Sequence, residues 1–395
     1  MSEHDATGTR SHWAARAIEA TLPSIERTTY DVVIVGAGIV GCATAYWLRQ
    51  EDRRLRVAVI DAKGLAAGAS GRNAGFLLLG TDTNYMSAVS RYGRETSRRI
   101  WDFTQESRDL TIGFAAEAGA PIEENGAVLA AGSNDEAHAL QESARMLLED
   151  GFPGDFLTGG PDLGEHFYGY LMDEEGGGID PFALVSALAQ ASGCAFAAPR
   201  AANAIEAIEG GVRIQTNMGP IEAANVCITL NAFLPQLLPA LTPTVSAVRA
   251  QMLSTDPLPE ALLCPLYSHD GHYYVRQLPT GEVLVGGARH LHVDNEVGYE
   301  DSTSTELQSD LLAYLERHFP MWKDAMVRDR WSGVMGFSPS GLPQIGGVVG
   351  VPGAIWAGGF TGHGMGFGMR MGRLLARAIT GREDSAAPLF GTAPS

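Results

Sequence analysis

The strongest constraint on the fold is a glycine pattern, Gly36-Ala37-Gly38-Ile39-Val40-Gly41, set directly behind the run Asp31–Val35 (DVVIV). A short β-branched run that closes on a glycine reads as a buried parallel strand. Cys42 to Gln50 then predicts a helix and Arg56–Ile60 (RVAVI) a second strand, completing a compact βαβ unit. In such a unit Gly36 permits the tight turn, Gly38 lets a pyrophosphate approach the backbone, and Gly41 allows close helix–strand packing. Free N–H groups and the positive helix end, at Ile39 and Val40, favour phosphate. Asp61, followed by Ala62, ends the second strand, where a carboxylate can accept hydrogen bonds from ribose hydroxyls. This pattern alone admits either NAD or FAD.

With 395 residues the chain is long enough for two interleaved domains, and 45% apolar against 19% charged residues suits a globular enzyme. A formal charge of −18 argues against tracking nucleic acid or an anionic lipid surface. Cys42, Cys194, Cys227 and Cys264 lie far apart in apolar stretches, which predicts buried free thiols in a reducing compartment and no metal site. No apolar run is long enough to span a bilayer, and Met1–Arg27 has no apolar leader segment, so a cytoplasmic protein is expected.

Beyond the βαβ unit the periodicity predicts helices over 86–119, 136–149, 181–192, 306–319 and 369–379. It predicts strands over 126–132, 272–278, 282–286 and 355–359, and three alternating strands between Ala201 and Leu230. Ser11–Ala20 is helix-compatible, with Trp13 as an anchor to the body. Three further stretches carry chemistry. Gly68–Gly75 sets Ala69, Ser70, Arg72, Asn73, Ala74 and Gly75 in a small-residue loop that can wrap a pyrophosphate. Ala357–Gly366 sets Gly359, Phe360, Gly362, His363, Gly364 and Met365 in a turn whose N–H groups can stabilise a negative charge. Trp331–Pro343, with Gly333 and Met335, reads by itself as a turn-rich loop or strand.

In this order the four stretches (GAGIVG, ASGRNAG, GFSPSGLPQIG and GGFTGHGMGFG) resemble the D-amino acid oxidase superfamily, which includes glycine oxidase, sarcosine oxidase and γ-glutamylputrescine oxidase-type enzymes. The resemblance runs from about Tyr30 to Ile379 and favours FAD over NAD. It implies an α/β chain: a Rossmann-type FAD-binding domain (30–115, 178–242 and 334–382) interleaved with an α+β, mixed-sheet substrate domain (116–177 and 243–333), between an arm (1–29) and a tail (383–395). It also implies oxidation of a C–N bond to an imine, with hydride passing to flavin N5 and the protein orienting an uncharged amine.

Departures from the family pattern bear on substrate and acceptor. Met335 stands where the glycine oxidase branch carries a carboxylate-clamping arginine, and methionine cannot make that bidentate pair. The resemblance places Tyr273-Tyr274-Val275-Arg276 over the flavin, with Tyr273 at a pocket-lining position and Arg276 as a replacement clamp. Alternation sends Tyr274 and Arg276 to one face and Tyr273 to the other. No cysteine lies in Trp331–Ser340, where sarcosine oxidase attaches its flavin, so FAD is expected to be non-covalent. That branch's lysines are replaced here near Gly366 and Val283–Val285. The reading is therefore an FAD enzyme oxidising a small amine or N-substituted amino acid, with His363, Tyr273, Arg276 and Met335 about the substrate and O2 as acceptor. A D-amino acid or imino-acid dehydrogenase passing electrons to a quinone or carrier protein is the alternative, and a non-catalytic FAD-binding redox sensor or assembly subunit is the alternative of another class. No general base stands out, and the amine and the oligomeric state are not legible.

Overall fold

The run Asp31–Val35 lacks alternation because both of its faces are covered. Val32 and Ile34 pack with the helices on one side, and Val33 and Val35 join Ile60, Ile214 and Trp356 on the other. The computed structural model describes residues 9–17, 20–159 and 164–391. Its helices are α1 (His12–Arg16), α2 (Ile39–Glu51), α3 (Tyr85–Tyr92), α4 (Arg94–Ala118), α5 (Asn134–Asp150), α6 (Pro181–Ser192), α7 (Leu234–Leu237), α8 (Thr305–His318) and α9 (Gly364–Ile379).

The strand Thr29–Val35 lies between Ile221–Ile228 and Val57–Ile60, parallel to both, with Val32 opposite Asn225 and Val57. Ala195–Ala197 extends the sheet beyond Val57–Ile60. At the other edge Ile221–Ile228 pairs antiparallel with Gly211–Thr216 over its first half and parallel with Ala354–Gly358 over its second. Three distant segments thus build one sheet, and α2, α6 and α9 cover one face of it. The helices approach closely: a Cβ on Gly372 of α9 would lie 2.5 Å from the Ala43 side chain.

A second sheet runs in the order Val327–Phe337, Ser246–Thr255, Val283–Gly287, Tyr273–Gln277, Leu266–Ser268, Ala127–Ala130, Tyr170–Asp173 and Asp155–Leu157. It is mixed, because Leu266–Ser268 pairs parallel with Ala127–Ala130 while its other neighbours are antiparallel. α8 packs Leu307, Leu311 and Leu315 against it. Phe76–Leu77, Gly177–Ile179 and Ile122–Glu123 form a small third sheet.

Local chemistry explains most boundaries. Asp180 caps α6 by accepting from the Phe182 and Ala183 N–H groups at 2.9 Å, Pro181 supplies the preset first turn, and Gly193 ends the helix at φ +60°. The helix expected over 86–119 is two helices, because Gly93 adopts φ +81° and turns the chain between α3 and α4. α9 begins before Met369, at Gly364, and Gly368 in its first turns packs closely on Ile39 of α2. Trp331–Pro343 contributes to an eleven-residue strand, Val327–Phe337. The expected domain edges at 177/178 and 333/334 therefore fall inside strands. The tail is packed: Phe390 is fully buried against Phe103, and Asp384 pairs with Arg370. Of the arm, Ser11, His12 and Trp13 are buried, and α1 is shorter than Ser11–Ala20, of which residues 18 and 19 lie outside the described residues.

Candidate active site

The glycine turn is built as its sequence requires. Gly36 sits at φ +112°, and a Cβ on Gly41 would lie 2.0 Å from the Gly36 carbonyl oxygen. Gly36 and Gly41 therefore support the turn from below, while Gly38, Ile39 and Val40 face a cavity of about 570 Å³. Asp61 is already occupied. Its Oδ2 accepts the Ala37 N–H at 2.9 Å, and its Oδ1 accepts those of Lys63 and Gly64 at 2.8 and 2.9 Å. A carboxylate accepts about four hydrogen bonds, so one position remains for a ligand. Neither Asp61 nor the exposed Ala62 lines the cavity.

The second stretch forms the adjoining wall. Ser70 Oγ accepts the Ile39 N–H at 2.9 Å, tying the loop to the start of α2. Asn73 folds the loop on itself, donating to the carbonyls of Ala69 and Ser70 and accepting the Gly75 N–H. Ala69, Ala74 and Gly75 face the cavity with them. Arg72 also contributes to the lining, but its guanidinium is not available to a pyrophosphate. It donates to Ala67 O, Thr9, Ser332 O and Asp301, the last at 3.0 Å. Trp13 Nε1 donates to Asn73 O and Ser11 Oγ to Gly71 O, both at 2.7 Å, so the arm straps this loop from outside.

The third stretch closes the cavity. Thr361, at φ +47°, donates its N–H to Gly336 O at 2.8 Å and joins the final turn to the strand Val327–Phe337. Gly359 lies beneath, bonded to Asn231 Oδ1 at 3.0 Å, while Phe360, Gly362, His363, Gly364 and Met365 face inward at the start of α9. Gly333 and Met335 line the neighbouring wall. His363 Nδ1 and Asp82 Oδ1 are buried without a hydrogen-bond partner among the described residues. Burial holds the His363 imidazole below its ordinary pKa, with Asp82 opposing, so the ring is neutral near pH 7.

Two expectations are corrected on the strand Tyr273–Gln277. Tyr273 turns away from the cavity and stacks on Tyr314 at 4.1 Å between centroids. Tyr274 lines the cavity instead, its ring lying over Gly286, where any side chain would collide with it. Arg276 is no substrate clamp: it is 2% exposed and holds Ala74 O, Gly75 O and Ile179 O at 2.8–3.0 Å and Glu123 at 2.8 Å. Tyr267 stands beside Tyr274 at 5.6 Å, and burial raises its phenol pKa to about 12. Asp82, Asn231, Tyr267 and Arg289 line the cavity without having been singled out in the sequence. Arg289 alone carried a signal, as a cation directly after a strand ending in Gly286-Gly287.

Two helix starts, those of α2 and α9, thus open on one cavity with a small-residue loop between them. This is a cradle for an anionic, extended cofactor. Residues 31–378 match the model of the family described as FAD dependent oxidoreductase, DAO. The chain belongs to this family. As a DAO-family member it is an FAD-dependent oxidoreductase. It is 27% identical to the probable oxidoreductase OrdL of Rhizobium meliloti (strain 1021), over 92% of this chain and 88% of that one. It is 25% identical to the γ-glutamylputrescine oxidoreductase of Escherichia coli (strain K12), over 96% and 90%. Among solved structures, glycine oxidase from Geobacillus kaustophilus superposes with a TM-score of 0.79 at 22% identity, over 91% of this chain and 96% of that one. Among the described residues no helix is long and apolar enough to cross a membrane, and no cluster of three His, Cys, Asp or Glu side chains could hold a metal ion.

Proposed function

We propose that this DAO-family enzyme oxidises the C–N bond of a small amine or N-substituted amino acid to an imine, with O2 as electron acceptor. The observation that carries the reading is the convergence of the two helix starts, the Gly68–Gly75 loop and an aromatic wall on one cavity, where two buried polar atoms lack hydrogen-bond partners among the described residues. The names of the relatives, a γ-glutamylputrescine oxidoreductase and a glycine oxidase, support the substrate class.

FAD fits this cradle: Gly38, Ile39, Val40 and Ser70 would hold the phosphates, and Phe360 to Met365 the flavin's polar edge. When bound, the flavin supplies the two-electron acceptor for the substrate. The absence of cysteine from Val327–Phe337 supports non-covalent attachment. Tyr267 and Tyr274, held protonated by burial, pack as neutral walls and exclude water around an uncharged amine. Neutral His363 offers its free Nδ1, and Asp82 an acceptor for an amine N–H, so both can orient the substrate nitrogen without a strong base. We also assign the first sheet to a cofactor domain and the second to a substrate domain, and place the enzyme in the cytoplasm, a reading supported by four buried free cysteines.

The test is anaerobic titration of the yellow holoenzyme with a panel of amines while flavin absorbance is followed. Bleaching by one class, and recovery with peroxide on readmitting air, is the expected result. Bleaching with slow recovery would turn the acceptor assignment to a quinone or carrier protein. A flavin that no amine bleaches would overturn the reaction.

A further inference from the structure

The cavity does not end at the cradle. Its wall along the second sheet follows one cross-strand row, in which Tyr274 stands opposite Tyr267, Tyr267 opposite Leu129, and Leu129 opposite Leu171. Neighbouring strands lie about 4.8 Å apart, so the row carries the wall about 14 Å from Tyr274 to Leu171. Along it the wall changes from aromatic to aliphatic. The tyrosines stand by the final turn, where Tyr267 stacks on His363 at 6.2 Å. Leu129 and Leu171 lie beneath α5 instead, whose Leu140 and Leu147 close the space from the other side. This arm of the cavity ends at Pro153 and Gly154, half-buried residues of the turn between α5 and Asp155–Leu157, with Gly151 and Asp155 exposed beside them. Only glycine keeps that end open, since a Cβ on Gly154 would lie 2.9 Å from Leu147 Cδ1 and 3.3 Å from Leu171 Cδ1.

Two properties decide what the arm admits. It is narrow: Leu140, Leu147 and Leu171 line it, yet they are only 2%, 4% and 6% exposed. A ring or a branched group finds no room between them. Its polar borders are also already engaged. Glu136 accepts the Gly132 and Asp270 N–H groups at 2.6 and 2.7 Å, and Asp173 accepts from the Arg108 guanidinium at 3.0 Å. Small cavities with aliphatic walls stay dry and take up apolar gases. The polar way into the cavity lies elsewhere, at the exposed rim formed by Asp270, Gly271 and His272. A polar amine and a small apolar molecule are thus offered different entrances to one chamber.

We propose that the narrow arm over Leu129 and Leu171 is the route by which O2 reaches the flavin, separate from the rim that admits the amine. The proposal deepens the amine-oxidation reading and rests on its choice of electron acceptor. O2 arriving by this route takes two electrons from the reduced flavin and two protons from the flavin and solvent, and leaves as hydrogen peroxide.

Xenon binding and reoxidation kinetics test the route without knowledge of the substrate. In crystals of the FAD-loaded enzyme held under xenon, the gas should occupy the space between Leu129, Leu140 and Leu171. An arm that takes up no xenon would overturn the proposal, and this measurement needs no variant to fold. In solution, the bound flavin is photoreduced anaerobically, with no amine present, and mixed with O2 at rising concentrations. The native enzyme should reoxidise at a rate proportional to O2. Leu129→Trp, which fills the arm, should lower that rate constant about tenfold or more while the protein stays yellow, and Leu129→Ala should not lower it. An unchanged rate constant in a yellow Leu129→Trp protein overturns the route. So does a Leu129→Trp protein in which anaerobic bleaching by an amine slows and reoxidation does not, because the arm then holds substrate. A native flavin that stays reduced in air overturns the route together with the choice of O2. Fast reoxidation that depends on Leu129, in an enzyme that no amine bleaches, leaves the route standing and the amine reading fallen.

Discussion

A buried arginine whose charge is unpaired is a liability, and Arg276 is paired through both terminal nitrogens, its Nε alone lacking a partner among the described residues. Its two terminal nitrogens hold three carbonyls and Glu123, from the Gly68–Gly75 loop and from two strands of the small sheet. Trp13 of the arm lies over the same guanidinium, 5.7 Å from ring centroid to Cζ. Arg276→Met leaves Glu123 and the carbonyls without their donor, a class of change that costs about 3–5 kcal/mol. The expected outcome is a much lower denaturation midpoint, with the surviving folded enzyme keeping its native KM. Sequence could not show this pairing. Alternation gives the face on which Arg276 lies, but whether that face meets a ligand or backbone carbonyls depends on segments 97 to 202 residues away in the chain. Tyr273 was misjudged for the same reason, since its partner Tyr314 comes from α8.

Elements were most legible where the local chemistry was complete. The βαβ unit and α6 carry their own glycines, caps and proline, and they formed where expected. Gly41 shows how tight that chemistry is: a Cβ there must displace the Gly36 carbonyl 2.0 Å away. Overpacking of this kind costs about 1–3 kcal/mol. Gly41→Ala should therefore weaken FAD retention about 10–100-fold, read as loss of yellow colour on dialysis, with the circular dichroism of the fold preserved. Val327–Phe337 was harder to recognise, because Ser332, Gly333 and Gly336 imitate a loop. Pairing with Ser246–Thr255 along its length makes it a strand. The arm was the element with least signal. Trp13 is 6% exposed and ties α1 to Asn73, and Trp-to-Ala changes at buried sites cost about 3–5 kcal/mol. We expect Trp13→Ala to release the arm to proteases and to speed FAD loss, because the loop it straps faces the cavity. A variant that loses thermal stability but keeps native FAD dissociation would confine the arm to a structural role.

At the scale of the whole molecule, both the expected interleaving and its edges came from the family resemblance, and two of those edges fall inside strands, Gly177–Ile179 and Val327–Phe337. No local signal in the sequence marks an edge there, because a strand continues through each. Stability against acid is also a whole-molecule property, and two histidines outside the cavity lining should govern it. Burial lowers the pKa of His12 to about 4, with Arg16 contributing, and that of His318 to about 4. His318 donates Nδ1–H to Glu165 O at 2.7 Å and stacks on Phe167, while His12, the first residue of α1 in the arm, is buried beside Asp329. The unfolded chain takes up protons on these rings from about pH 6.5, whereas the folded chain does so only near pH 4. Between those values the unfolded state binds more protons, so stability falls as pH falls, by at most about 1.4 kcal/mol per pH unit for each ring. The net charge of −18 acts in the opposite direction, since protonating surface carboxylates relieves repulsion in the folded state. The raw slope is therefore not diagnostic, but the difference between proteins is. Denaturant unfolding at pH 7 and pH 5 should show a smaller loss for His12→Asn and His318→Asn than for the native chain. Their double variant should show the sum, because the two rings share no partner and lie in separate parts of the fold. Equal losses in all four proteins would mean that acid sensitivity resides in the carboxylate pairs, with Arg249–Glu296 and Arg370–Asp384 the next to be tested.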